Sequence, residues 1–300
     1  MKVKRSKIGG NSETRTGLIM LSPFLILFFV FTILPILSSV VLSFTTYDMI
    51  SAPKFSGISN YIKMFSTDDM FPKVLRNTIV LAIVTGPIGY ILSFILAWMI
   101  NELNRTARTI LSFLFYAPAL STNVYFIWQV LFSGDSYGYI NSALLSMGVI
   151  SEPVQWFKDP SYVMIIVIVV QLWMSMGISF LANISGLQNV NPEMYEAGCI
   201  DGIRNRWLEL WYITLPSMKS ILLFGAVMQI QSSFSIGAVV TALAGFPSVN
   251  YSVDTLVTLL QDVGTSRYEM GYAAALSVFL FAMMAVTRVI VGKVVDAIGR

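Results

Sequence analysis

The 300-residue chain contains no histidine and a single cysteine, Cys199. The first absence removes the side chain most used as a general base and metal ligand near neutral pH. The second excludes an intrachain disulfide. Carboxylates do not fill the gap: the one adjacent acidic pair, Asp68-Asp69, sits in a mixed-charge segment, and no other cluster lies in or beside an apolar run. A nucleophile with its base therefore has no source, and neither catalytic residues nor a metal site are expected. Charge of any sign is scarce. Asp, Glu, Lys and Arg make up 12% of the residues and apolar types 56%, against roughly 25% and 45–50% in soluble domains.

The missing charge is missing in blocks. Residues 16–47, 77–101, 109–134, 160–192, 220–253 and 270–287 carry no Asp, Glu, Lys or Arg. Each block can hold the stretch of about 20 apolar residues that crosses a hydrocarbon core of roughly 30 Å. Six membrane helices are predicted, over 17–44, 76–100, 109–132, 161–186, 217–243 and 269–291. Prolines recur inside them, Pro23 and Pro35 in the first, Pro87 between Gly86 and Gly89 in the second, and Pro118 in the third. These predict kinks, which membrane helices tolerate where neighbours satisfy the freed carbonyls. The uncharged run 136–151 is too short and too rich in Ser, Gly and Asn to span, and reads as a surface segment with a short helix. Barrel-type alternation is absent. The fold class is all-α integral membrane, organised as a tail (1–16), one membrane domain (17–291) and a second tail (292–300).

Orientation follows from the basic residues. An even number of crossings puts both termini on one side. With the termini cytoplasmic, the inner segments hold thirteen Lys and Arg, including Lys2, Lys4, Arg5, Lys7, Arg105, Arg108, Arg204 and Arg206, and the outer segments six, namely Lys54, Lys63, Lys73, Arg76, Lys158 and Arg267. That asymmetry is the positive-inside bias. The net charge of +3 thus reports topology, and no basic stripe points to nucleic acid. The first apolar run is too long for a secretory signal and lacks a small-residue cleavage site after it, so it reads as an anchored helix.

One polar segment stands apart. Residues 187–216 read LQNVNPEMYEAGCIDGIRNRWLELWYITLP. Asn191 is a good N-cap with Pro192 at the first helical position, and Glu193 and Glu196 favour the helix dipole. Asp201-Gly202 predicts a break, with Gly202 in the left-handed region. A second short helix over about 203–212 ends at Leu215-Pro216. The apolar face Met194, Tyr195, Ala197 and Ile200 needs burial against something, either the chain's own surface or a partner. Cys199 within it is expected to pack as a small hydrophobe.

Glu196-Ala197-Gly198, Asp201-Gly202 and Ile213-x-Leu215-Pro216 resemble the EAA loop of binding-protein-dependent ABC importer permeases, with Gly198 where that family usually has a second Ala. The likeness continues in Leu21-Ser22-Pro23-Phe24, Phe55-Ser56-Gly57, Asn60-Tyr61, Asn77-Thr78, Pro118 and Trp128, which are similar to carbohydrate permeases of the maltose-transporter type. The resemblance implies a six-helix permease of the type I importer fold with a cytoplasmic coupling helix, in a bacterial cell membrane. Glu196, Ala197, Gly198, Asp201, Gly202, Leu215 and Pro216 would couple it to an ATPase. Its implied partners are a second homologous permease (a heterodimer), two ATPase subunits and an extracytoplasmic sugar-binding protein. ATP and Mg would be bound by the ATPase subunits, with no cofactor on this chain.

Polar residues inside the helices are the substrate candidates. Gln171 and Ser175 share a helical face with Ile178, and Gln229 and Ser233 share one with Ile236, with Ser232 beside them. Measured from the EAA-like residues, these faces fall where maltose-type permeases contact sugar. Amides and hydroxyls suit sugar hydroxyls because they both donate and accept. Trp173 and Phe234 are candidates to cover a sugar ring, and Asn123 completes the set. The rival reading, an ion-coupled secondary transporter of small polar solutes, lacks an ionisable residue in the six charge-free blocks to carry a proton. A channel would need charged rings or filter loops that are absent.

Overall fold

The computed structural model describes residues 10–121 and 124–297. The basic cluster Lys2–Lys7 and the terminal Arg300 lie outside the described residues. Five helices are long and apolar enough to cross a bilayer: Arg15–Leu42, Phe71–Asn101, Pro160–Gln188, Lys219–Ala244 and Met270–Val295. A bent pair, Arg105–Leu120 and Tyr125–Leu131, set at 89° to one another, makes a sixth when taken as one span. Numbered along the chain, that pair is span 3. The all-α expectation holds. Among the described residues the only sheet is a two-residue antiparallel pairing of Thr45-Thr46 with Lys54-Phe55.

Four spans depart from simple rods. In span 1 the helix widens to a π turn over Phe29–Ile33, just before Pro35. Proline lacks the N–H that would continue the ladder, and a wider turn re-routes the carbonyls before it. Span 3 was expected as one helix over 109–132 kinked at Pro118. Instead the first half runs through a buried Pro118 to Leu120, and Ser121 turns extended. Span 4 was expected as one helix over 161–186. It is interrupted at Ser175–Gly177, between Pro160–Met174 and Ile178–Gln188. Span 5 is interrupted likewise at Ser235-Ile236, between Lys219–Phe234 and Gly237–Ala244. Span 2 carries Pro87 inside an uninterrupted helix.

Spans 2, 4 and 5 form the centre of the bundle. Span 2 packs on the second half of span 4 and on span 5, which pack on each other; span 6 leans on span 5 and carries span 1 on its outer side. None of the most apolar stretch of span 1 is buried by the rest of the chain. In lipid, apolar burial does not drive helices together, so close association depends on small residues and polar contacts at the crossings. The central helices meet this way at Gly86 and Gly89, described below, and at Gly225, where a Cβ would stand 3.1 Å from Ser179 Oγ.

The two ends of the bundle differ. At the end carrying the 187–216 loop, Phe94, Ala97, Phe180, Leu187, Ile213 and Met218 make one apolar cluster. At the other end, Met64, Phe71, Leu256, Leu259 and Leu276 make another. The surface segment after span 3 contains the expected short helix, Tyr139–Ser146. It is held by the fully buried Asn141, whose amide donates to the carbonyls of Ser133, Asp135 and Val154 and whose oxygen accepts from Val154 N and Trp156 Nε1.

Candidate functional site

The first candidate region is a polar seam through the central helices. On span 4, Gln171, Ser175, Ser179 and Asn183 recur every four residues and are at most 3% exposed. Across from them on span 5 lie Gln229, Ser232 and Ser233. Gln171 Nε2 donates to Ser232 Oγ at 3.1 Å and to the Ser232 carbonyl at 3.3 Å. Gln229 Nε2 donates to the Thr85 carbonyl of span 2 at 3.2 Å, and Ser233 Oγ back-bonds to Ile230 O at 2.9 Å. Two glycines of span 2 make room for this. A Cβ on Gly89 would stand 2.5 Å from Gln229 Nε2 and 3.0 Å from Ser175 Oγ, and one on Gly86 would stand 3.4 Å from Ser233 Oγ.

One side of the seam opens into a cleft of about 320 Å³. Ser175, Gln229 and Ser232 line it, together with Tyr116, Ser179 and Gln231. So do Gly177 and Ser235, at the interruptions of spans 4 and 5. Broken helices at membrane depth are tolerated where their backbone lines a cavity, and they expose carbonyls and N–H groups to whatever occupies it. Every lining residue is uncharged.

The predicted substrate residues are therefore divided. Ser175, Gln229 and Ser232 reach the cleft, whereas Gln171 and Ser233 are buried behind it. Trp173 is placed elsewhere, edge-on to Trp128 with ring centroids 5.4 Å apart. Phe234 is buried with Ala82 and Ile230 in a small apolar cluster. Asn123 lies outside the described residues. Ser179 and Tyr116 were missed. The four-residue series that begins with Gln171 and Ser175 continues to Ser179, one residue past Ile178, where the i+7 reading stopped and which also lines the cleft. Tyr116 carries no sequence signal of its own.

The second candidate region is the 187–216 loop. Its first helix is Pro192–Ile200, capped by Asn191, whose side chain accepts from Glu193 N at 3.1 Å. It ends in a Schellman arrangement: Ile203 N donates to Gly198 O at 2.8 Å, Gly202 N donates to Cys199 O at 3.2 Å, and Gly202 sits at φ +89°. This is the left-handed stop that Asp201-Gly202 predicts. The second helix is shorter than expected, Arg206–Glu209 capped by Asn205, and passes through a π turn over Leu210–Thr214 into Leu215-Pro216. As in span 1, the widened turn lies directly before a proline.

The loop folds back on itself over a small contact. Gly198 is buried, and a Cβ there would meet Ile213 Cδ1 at 2.5 Å. A small residue is needed here, because the helix rests on the π turn. Tyr195 is half-buried, with its hydroxyl 2.9 Å from Thr214 Oγ1. Met194, Ala197 and Ile200 remain exposed, as do Glu196, Asp201 and Gly202. The expected packing role of Cys199 is not found: its side chain is exposed, because Gly198 and not Cys199 occupies the inward position. Beside this helix, Arg206 bridges Glu209 within the loop at 2.8 Å and Glu102 at the end of span 2 at 2.6 Å. The hydrogen bond to Glu209, with the charge of Glu102 behind it, raises the Arg206 pKa.

Comparison with known proteins identifies the arrangement. Residues 86–300 match the family described as "Binding-protein-dependent transport system inner membrane component". The probable ABC transporter permease protein YesP of Bacillus subtilis is 32% identical, covering 94% of this chain and 90% of that protein. The lactose transport system permease protein LacF of Rhizobium radiobacter is 29% identical, covering 90% of each. Among solved structures, a bacterial alginate ABC transporter in complex with an alginate pentasaccharide-bound periplasmic protein superposes on 96% of this chain and 96% of its own, with a TM-score of 0.77 at 22% identity. That likeness establishes the shared fold.

Proposed function

The chain belongs to the binding-protein-dependent transport system inner membrane component family, and from that membership and the geometry above we propose that it is the permease subunit of an ATP-driven importer of sugars or oligosaccharides. The observation that carries this is the 187–216 loop, a capped and ordered helix that presents Met194, Ala197 and Ile200 to solvent instead of burying them in its own chain. An apolar face held out by a rigid frame is the signature of a docking site. The fit is to a cytoplasmic ATPase subunit, with Glu196 facing its basic or polar groups and Gly202 setting the angle between the two short helices.

The cleft supplies the substrate side. Amide and hydroxyl groups from Gln229, Gln231, Ser175, Ser179, Ser232 and Tyr116 both donate and accept, which matches sugar hydroxyls. With no charged group lining it, this chain's share of the pathway favours a neutral ligand. Gln171 and Ser233, buried behind Ser232 and Gly86, hold the cleft's wall and do not reach a ligand in this conformation.

The remaining parts follow from one chain making half of a pathway. A second, homologous permease would complete it, two ATPase subunits would hydrolyse ATP with bound Mg, and an extracytoplasmic binding protein would deliver the sugar. Residues 17–291 would form the single membrane domain, with both tails cytoplasmic as the charge asymmetry demands. ATP binding would close the ATPases, pull the loops together and turn the cleft outward. Ion coupling is not favoured, because the relatives named above are ABC permeases and the cleft holds no ionisable carrier.

The sole cysteine gives a direct test. Cys199 is exposed on the loop helix. A maleimide that cannot cross membranes is expected to label it in inside-out vesicles stripped of ATPase, and to fail in right-side-out vesicles and in the intact assembly. Labelling from the outer face, or undiminished labelling with the ATPase present, refutes the reading.

A further inference from the structure

The loop is covalently continuous with spans 4 and 5 but not with span 2, which ends at Asn101. Nevertheless it is fastened there. Arg206 Nη2 donates to Glu102 Oε2 at 2.6 Å, while Nη1 of the same guanidinium donates to Glu209 Oε2 at 2.8 Å. Trp207, the next residue, lies against Trp98 of span 2 with ring centroids 5.2 Å apart. A cavity of about 250 Å³ lies between the two elements, lined by Asn101, Leu187 and Tyr195 together with Glu102, Arg206 and Glu209, beside the apolar cluster in which Leu210 and Ile213 join Ala97 and Ile100.

We infer that Arg206 is a positioning residue that carries the displacement of the coupling loop sideways to span 2, through the clasp Glu102–Arg206–Glu209. The inference rests on the loop being the coupling element proposed above. A single exposed ion pair contributes little. Here, however, one planar guanidinium grips two carboxylates from two elements, and the Glu209 side chain is only 14% exposed. A rigid fork of this kind fixes orientation, and a lysine in its place would keep the charge but lose the two-pronged hold. The consequence reaches the cleft. Gly86 and Gly89 of span 2 stand against Ser233, Gln229 and Ser175, so a shift of span 2 along its axis moves the wall behind the cleft.

The test uses the complete assembly with its ATPase subunits in nanodiscs, so that no sugar is needed. Spin labels are placed on Leu103→Cys and Arg204→Cys in a Cys199→Ser background. Their separation is measured by pulsed electron resonance without nucleotide and after trapping with ATP, magnesium and vanadate. With the clasp intact, the separation should change by less than about 2 Å between the two states, because loop and span 2 travel together. In Arg206→Gln and in Glu102→Gln it should shift or broaden by about 3 Å or more, and Glu209→Gln, which removes one prong of the fork, should shift or broaden it by as much or less. A separation that changes in the parent, or Arg206→Gln and Glu102→Gln that both match the parent, overturns the inference. So does Glu209→Gln matching the parent. If Arg206→Gln fails to assemble, Glu102→Gln decides, and failure of that variant to assemble also overturns the inference, since the clasp would then serve docking. An ATPase that does not co-purify with the parent chain refutes instead the importer reading beneath it.

Discussion

Gln171, Ser175 and Asn183 lie along span 4 and are at most 3% exposed, whereas Met194 and Ile200, on the helix that follows it, are 46% and 88% exposed. Polar side chains have gone inside and apolar ones have stayed out. In the seam the reversal is explained within the chain for the two glutamines. At membrane depth an amide or hydroxyl costs free energy unless it is hydrogen-bonded, and Gln171 and Gln229 find Ser232 and the Thr85 carbonyl. In the loop it is not explained within the chain, since nothing here covers Ile200. The seam is closed within the chain except at Ser179 Oγ and Asn183 Oδ1, which are buried without a partner, and the loop is half of an interface. Mutations should therefore damage the two regions in different ways, the first through folding and the second through assembly.

Gly89→Val should show the largest effect. The added carbons would press on Gln229 Nε2 at 2.5 Å and on Ser175, an overpacking of about 3 kcal/mol. Expression in membranes and the thermal midpoint of the purified chain should both fall. A stable, well-expressed variant would show that the seam is looser than its geometry implies. Next is Gly202→Asp, where a side chain must adopt φ +89° at a strain of roughly 1–2 kcal/mol. That is too little to remove the chain from the membrane, but the angle between the two loop helices is lost. Uptake should be abolished with normal membrane levels, and normal uptake would sink the docking account.

Smaller effects sharpen the contrast further. Ile200→Ser should leave the melting temperature unchanged, within about 0.5 kcal/mol as for surface sites generally. It should also weaken ATPase association about tenfold, equivalent to about 1.4 kcal/mol, which titration of detergent-solubilised subunits can measure. Gly198→Ala should do least. Its Cβ would approach Ile213 Cδ1, the free tip of a flexible side chain, and the adjustment costs about 1 kcal/mol or less. Near-normal uptake is expected, whereas Gly198→Leu, which cannot be so accommodated, should behave like Gly202→Asp.

The loop was the most legible part of the site. Its caps, Asn191 and Asn205, its left-handed stop at Gly202 and its terminal proline are local devices, and local devices are written in consecutive residues. Its outward-facing cysteine was not legible, because which residue faces in depends on where the π turn over Leu210–Thr214 folds back. Within the spans, Gln171 and Ser175 were picked out by spacing, yet only Ser175 reaches the cleft. Trp173, two residues from each, points to Trp128. Helical periodicity predicts a shared face only while the helix is unbroken, and spans 4 and 5 both break beside the cleft.

Charge-free blocks, prolines and the polar loop determined by themselves that this chain is an all-α membrane protein of up to six spans with an ordered polar loop between the fourth and fifth. A membrane imposes that outcome through the cost of every unpaired polar group, and the cost is summed along the chain. The tertiary structure alone decided which polar residues meet. Span 2 supplies its glycines to a seam built by spans 4 and 5, and Arg206 reaches Glu102 across a hundred residues of sequence. Those contacts depend on how helices cross and where they break, and such relations exist only between segments, not within any one of them.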